Sequence, residues 1–128
     1  MDFIETEFAP KAIGHYSQGT IASKDQRLIF TSMQLPITDD GQDTLDKPIE
    51  EQVKTAVKNV VDIIRAGGGS PFTVLKTTLY IADMSLWDAI NQAYQEAIGS
   101  HKPARAVIGV SALPKGYKFA IEGVGETQ

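Results

Sequence analysis

Apolar residues recur at spacings of three and four from Ile49 to Ile64. Ile49, Val53, Ala56, Val57, Val60 and Ile64 fall on one stripe, which predicts an amphipathic helix. Asp46 is its expected N-cap, Pro48 suits the first turn, and Glu50 and Glu51 complement the positive end of the helix dipole. Gly67-Gly68-Gly69 ends it, with Gly67 expected in the left-handed position just past the helix. Leu86, Ala89, Ile90, Ala93, Tyr94, Ala97 and Ile98 form a second stripe. Ser85 and Asp88 read as its capping box and Gly99 as its end.

Elsewhere the period falls to two. Strands are predicted at about 19–23, 27–34, 73–81, 104–110 and 117–125, with a short one near 3–6. In the last long strand Tyr117, Phe119 and Ile121 point one way, and Ala120, Glu122 and Val124 the other. Segment 37–48, ITDDGQDTLDKP, is a polar loop between the opening strands and the first helix. The order β-β-α-β-α-β-β predicts an α+β domain with both one-sided helices on the same face of a sheet. The strands carry Leu28, Phe30, Leu79 and Ile108 among others, so alternation forces some apolar groups onto the uncovered face. Exposed apolar sheet of that size marks an interface, and an oligomer is expected.

Composition narrows the function. The 128 residues suit one domain, 1–128, burying about 65–70% of the unfolded surface. A net charge of −4 argues against a nucleic-acid partner, and Lys115 and Lys118 read as a solvated strand margin. There is no cysteine, which removes disulfides, thiolate nucleophiles and thiolate-held metals. The opening MDFIETEFAP has no signal-peptide pattern, and no apolar run approaches the roughly 20 residues of a membrane helix, so a cytoplasmic protein without a membrane partner is expected.

Most familiar site patterns are missing. The triple glycine follows a helix and leads to Ser-Pro-Phe, whereas a phosphate cradle precedes a helix and leads to Lys-Ser/Thr. His15 and His101 are the only histidines and have no ligand spacing, so no metal is expected. No Gly-x-Ser-x-Gly turn or dinucleotide fingerprint occurs. Two charges remain. Arg105, in HKPARAVIGVSALP (101–114), stands where the chain enters a strand, and Glu122 lies between apolar residues of the last strand. A turn at Leu113-Pro114-Lys115-Gly116 would make those strands antiparallel neighbours. The two residues then read either as a structural ion pair or a glutamate at the sheet margin, or as an anion-binding fork beside a water-holding carboxylate in a cleft between subunits.

Several segments in order resemble the RidA/YjgF/UK114 family of reactive-intermediate deaminases: APKAIGHYSQG (9–19), FTSMQLP (30–36), VKNVVDIIRAGGGS (57–70), VLKTTLYIADM (74–84), HKPARAVIGVSALPKG (101–116) and IEGVGE (121–126). The resemblance covers nearly the whole chain. It implies a chorismate-mutase-like fold, a homotrimer with clefts between subunits, and no cofactor. The implied reaction is hydrolysis of 2-imino acids such as 2-iminobutanoate and 2-iminopropanoate to 2-oxo acids and ammonia. A non-catalytic trimer of the same family, binding a small carboxylate or serving a regulatory role, is the alternative. By the same resemblance Arg105 binds the substrate carboxylate, Glu122 orients or activates water, and Tyr16 walls the pocket. Ser32, Met33, Gln34, Asn91 and Val107 complete the expected substrate contacts. The sequence departs from the family at Met33, where glycine is usual, at His15 in place of proline, and at Ala106-Val107 in place of Ser-Cys.

Overall fold

The computed structural model describes residues 1–128. Its elements are β1 (Asp2–Ile4), β2 (Gly19–Ile21), β3 (Leu28–Phe30), α1 (Ile49–Ala66), β4 (Val74–Ile81), α2 (Trp87–Ile98), β5 (Ala104–Gly109) and β6 (Phe119–Glu126). Strands β1 and β2 form an antiparallel pair, and the other four make one mixed sheet in the order β3-β6-β4-β5. The predicted elements are present in the predicted order, with the short N-terminal strand confirmed as β1. No helix is long and apolar enough to cross a membrane.

The two stripes bury together. Val53, Val57, Val60 and Ile64 of α1 and Ile90, Tyr94 and Ile98 of α2 pack with Leu79, Ile81, Phe119 and Ile121 of the sheet in one core. Both helices therefore cover the same sheet face. Alternation sends Thr78, Tyr80, Glu122 and Val124 to the other face, where no element of the chain covers them. Phe30 is 70% exposed, and Leu28 and Ile108 are exposed too. Leu79 is fully buried on the helix side.

The helix ends differ from expectation. Pro48, not Asp46, occupies the N-cap of α1, and no side chain caps it. Gly67 keeps right-handed geometry at φ −80°; Gly68, at φ 101°, takes the left-handed turn. The Ser85–Asp88 capping box does not form, because a 3-10 turn at Met84–Leu86 intervenes and α2 starts only at Trp87. The Asp83 carboxylate instead accepts from the Ser85 amide at 3.0 Å and the Ser85 hydroxyl at 2.6 Å.

Topology supplies the main correction. β5 and β6 are not neighbours: β5 lies parallel to β4, and β6 inserts between β3 and β4. A parallel pair needs a crossover, which α2 provides between β4 and β5. Residues 110–118 then carry the chain past β4 rather than turning it back beside β5. Burial explains the placement. Phe119, Ala120 and Ile121 are inaccessible to solvent, whereas β5 has no fully buried residue and suits an edge. Gly123 lets α1 press onto β6, since a Cβ there would lie 2.8 Å from Val60.

Candidate functional site

Arg105 shares a sheet face with its β4 partner Thr77, on the side of α2. Its half-buried guanidinium donates from Nη1 to Asn91 Oδ1 at 2.9 Å. The rings of Tyr94, Tyr16 and Trp87 lie 5.2, 5.3 and 5.4 Å from its central carbon, within cation–π range. Trp87, Asn91 and Tyr94 sit at i, i+4 and i+7 of α2, so a single helix face supplies three of the four groups. Burial lowers the affinity of Arg105 for its proton and the two tyrosines oppose this; a guanidinium remains a cation regardless. Burial likewise pushes the Tyr94 phenol up, keeping it neutral, and it shares a 2.8 Å hydrogen bond with the Thr77 hydroxyl. No carboxylate pairs with Arg105. One of its five donors is satisfied by a neutral amide, and the charge has no counter-ion.

Tyr16 reaches this box from the loop before β2. Its amide donates to Gly14 O at 2.9 Å and its hydroxyl accepts from the Ile13 amide at 3.3 Å. His15 anchors the loop to the end of α2, with Nε2 2.8 Å from Gly99 O and the ring edge-on to Tyr94. His101 also turns to a carbonyl, Val74 O at 2.7 Å.

Glu122 is elsewhere. It pairs with Thr78 on the uncovered face, opposite the face of Arg105. The two therefore form no ion pair, and the expectation of adjacent strands that would bring them together is overturned by the insertion of β6. Glu122 lines a shallow recess with Phe30, Thr31, Lys76, Thr78 and Val124. Its Oε1 accepts from the Tyr80 hydroxyl at 2.5 Å.

Ser32, Met33 and Gln34 follow β3 on the same side of the sheet as β6. Gln34 bridges to Ile121, its amide 2.7 Å from Ile121 O and its carbonyl 3.1 Å from Ile121 N, which places the segment beside Glu122. Ser32 and Met33 are exposed. Since β3 and β5 are opposite edges, about 14 Å of sheet separates this segment from Arg105, at roughly 4.8 Å per strand. Val107 lies two residues beyond Arg105 on the same face of β5, half-buried against the core.

The chain thus carries two separate groups: Arg105, Asn91 and Tyr16 at one edge, and Glu122 with Ser32–Gln34 toward the other. Sequence reasoning missed three members. The apolar stripe places Tyr94 in the core alone, yet its ring lies within cation–π range of Arg105. Trp87 lies just off the apolar stripe, and its spacing from Asn91 and Tyr94 was the available signal. Tyr80 was readable only once the partner of Glu122 was known.

Comparison with known proteins agrees with this architecture. Residues 6–126 match the family model described as Endoribonuclease L-PSP. A RutC family protein of Pyrococcus abyssi is 37% identical over 123 residues, covering 96% of this chain and 94% of its own. The human protein named 2-iminobutanoate/2-iminopropanoate deaminase is 36% identical over 121 residues, covering 94% and 86%. Among solved structures, E. coli TdcF with bound serine superposes with a TM-score of 0.74 at 31% identity, with all of both chains covered. These likenesses span the sheet, both helices and both residue groups, and the chain belongs to the YjgF/RidA family.

Proposed function

We propose that this protein hydrolyses 2-imino acids to 2-oxo acids and ammonia, in clefts formed between copies of the chain in a homotrimer. The observation that carries the reading is the uncompensated Arg105 cation, framed by Asn91 and three aromatic rings. A planar fork with free donors at a partly desolvated site suits a small carboxylate. The deaminase name of the human relative gives the chemistry its class.

The strand order supports a division of labour. Arg105, Tyr16, Asn91 and Trp87 of one copy would face Glu122 and Ser32–Gln34 of the next, because the two groups sit toward opposite edges of one sheet. The uncovered apolar face, with Phe30, Leu28 and Ile108, is the surface over which copies would close.

A protonated imine is already electrophilic, so positioning and proton transfer suffice. Arg105 holds the carboxylate. A water held by Glu122 adds its oxygen to the imine carbon and gives a proton to that carboxylate. The carboxylate returns that proton to the amino nitrogen of the resulting carbinolamine, the C–N bond breaks to release ammonia, and the hydroxyl proton passes by way of Glu122 to that ammonia as the C–O bond becomes the carbonyl of the 2-oxo acid. The balance is iminium plus water giving ketone plus ammonium.

The test generates imines in situ with an amino-acid oxidase and follows their disappearance with and without the protein. Faster loss is expected. Saturable binding of a 2-oxo acid without any acceleration would instead establish the non-catalytic carboxylate-binding role. Trp87 is the only tryptophan and lies beside Arg105, so its fluorescence reports that binding directly.

A further inference from the structure

Among the first thirty residues only His15 is buried. A single buried side chain in an otherwise exposed stretch works as a peg, and this one is polar. Its Nε2 lies 2.8 Å from Gly99 O, a carbonyl that can only accept, so Nε2 carries the proton of that bond. Nδ1 is then a lone pair, and the Gln95 amide nitrogen donates to it at 3.4 Å. The ring stands edge-on to the fully buried Tyr94, with centroids 6.2 Å apart. No other hydrogen bond joins residues 9–16 to the end of α2 or to the four-stranded sheet. The rest of the segment bonds to itself and to Gln18, and Ile13 is almost fully exposed.

What the peg holds lies against Arg105. Tyr16 follows it, with its ring 5.3 Å from the central carbon of the guanidinium. Gly14 precedes it, and a Cβ there would lie 3.3 Å from Arg105 Nη2 and 3.2 Å from the Tyr16 ring. The residues on both sides of His15 therefore border the cation, and a loop that slid along α2 would move both.

We infer that His15 is a positioning residue for carboxylate binding: it pegs the loop to the end of α2 and so holds the Tyr16 ring beside the Arg105 guanidinium. The inference rests on the reading of Arg105 as the carboxylate-binding group. Proline, the usual residue of the family here, has no donor for Gly99 and no lone pair for Gln95, so this hold belongs to the present chain.

Two effects follow from removing the peg. A mobile Tyr16 leaves the bound carboxylate less enclosed, before and during the reaction alike, so the loss falls on KM and spares kcat. Because His15 acts through Tyr16, its effect should vanish when the Tyr16 ring is gone.

The experiment titrates wild type, His15→Phe, His15→Ala, His15→Gln, Tyr16→Ala and the double variant His15→Phe/Tyr16→Ala with pyruvate, after thermal melting and sizing of each. Trp87, the only tryptophan, reports binding by its fluorescence beside Arg105. His15→Phe keeps a flat ring against Tyr94 but neither nitrogen, and pyruvate Kd should rise by about 3- to 10-fold. His15→Ala, which removes the ring as well, carries the same expectation should the phenylalanine variant not assemble. His15→Gln keeps a donor for Gly99 O and should bind within about twofold of wild type. With Tyr16→Ala already present, His15→Phe should add less than about twofold. In the imine assay KM should rise in the same ratio, with kcat within about twofold. Wild-type pyruvate affinity in both folded His15 variants, or an equal loss with and without the Tyr16 ring, would overturn the role of His15 alone. A wild-type protein that binds no pyruvate would overturn the carboxylate reading of Arg105 and this inference with it.

Discussion

Replacing Arg105 with alanine separates a binding function from a structural one, and the geometry gives sizes to both. A carboxylate on the guanidinium fork would make two charge-assisted hydrogen bonds. Losing them costs about 2–4 kcal/mol, which lowers kcat/KM by roughly 30- to 1000-fold. The structural cost is smaller because opposing contributions meet at this residue. Arg105→Ala removes the Asn91 bond, worth about 1 kcal/mol, and ring contacts worth about 0.5–1 kcal/mol each at exposed sites. It also removes a half-buried charge without a counter-ion, which offsets part of that loss. A net change within about 2 kcal/mol moves Tm by less than about 10 °C in a domain this size. The assay is imine hydrolysis in parallel with thermal melting, sizing and Trp87 fluorescence titration with a 2-oxo acid. Arg105→Lys should recover only part of the activity, since an ammonium keeps the charge and loses the fork. A folded, correctly assembled Arg105→Ala protein with wild-type turnover and wild-type 2-oxo acid affinity would refute the reasoning.

Phe30→Asp places a carboxylate on the uncovered sheet face, and it should shift the sedimenting species from a trimer to the 13.9 kDa chain; a wild-type protein that sediments as that chain would refute the assembly itself. Met33→Gly removes an exposed side chain beside β3 and should speed turnover of leucine- and phenylalanine-derived imines more than alanine-derived ones; an unchanged profile would mean that Met33 lies outside the cleft. Gly123→Ala puts a methyl 2.8 Å from Val60 beneath α1 and should destabilise the fold by about 1–3 kcal/mol in denaturant titration; a neutral result would mean α1 yields at that contact.

The helices and strands were legible because each has one buried face, and burial leaves a period in the sequence. Helix ends were less so: Asp46 and Ser85 have the right side chains for caps, but Pro48 and a 3-10 turn decide where α1 and α2 begin. Strand order was not legible. A short polar turn between two apolar runs reads as a hairpin, and nothing local says that β6 is the more buried strand and belongs in the middle. The candidate site inherited that error. Arg105 and Glu122 could be singled out as charges in apolar surroundings, yet their placement on opposite faces depends on long-range pairing. Tyr80 shows the same limit. An aromatic residue inside a strand reads as packing until its diagonal neighbour is known to be a carboxylate.

The central claim is that one working cleft takes Arg105 from one copy and Glu122 from another. Subunit complementation tests it most directly. Arg105→Ala and Glu122→Gln proteins, each strongly impaired alone, are dissociated, mixed in equal amounts and reassembled. In a ring of three copies with a repeated head-to-tail contact, random mixing makes about a quarter of the clefts intact. The account predicts return of about that fraction of wild-type imine hydrolysis, with no gain over its own residual rate from either variant reassembled by itself. A mixture confirmed to contain mixed trimers but still inactive would place both residues in the same copy's site and contradict the account.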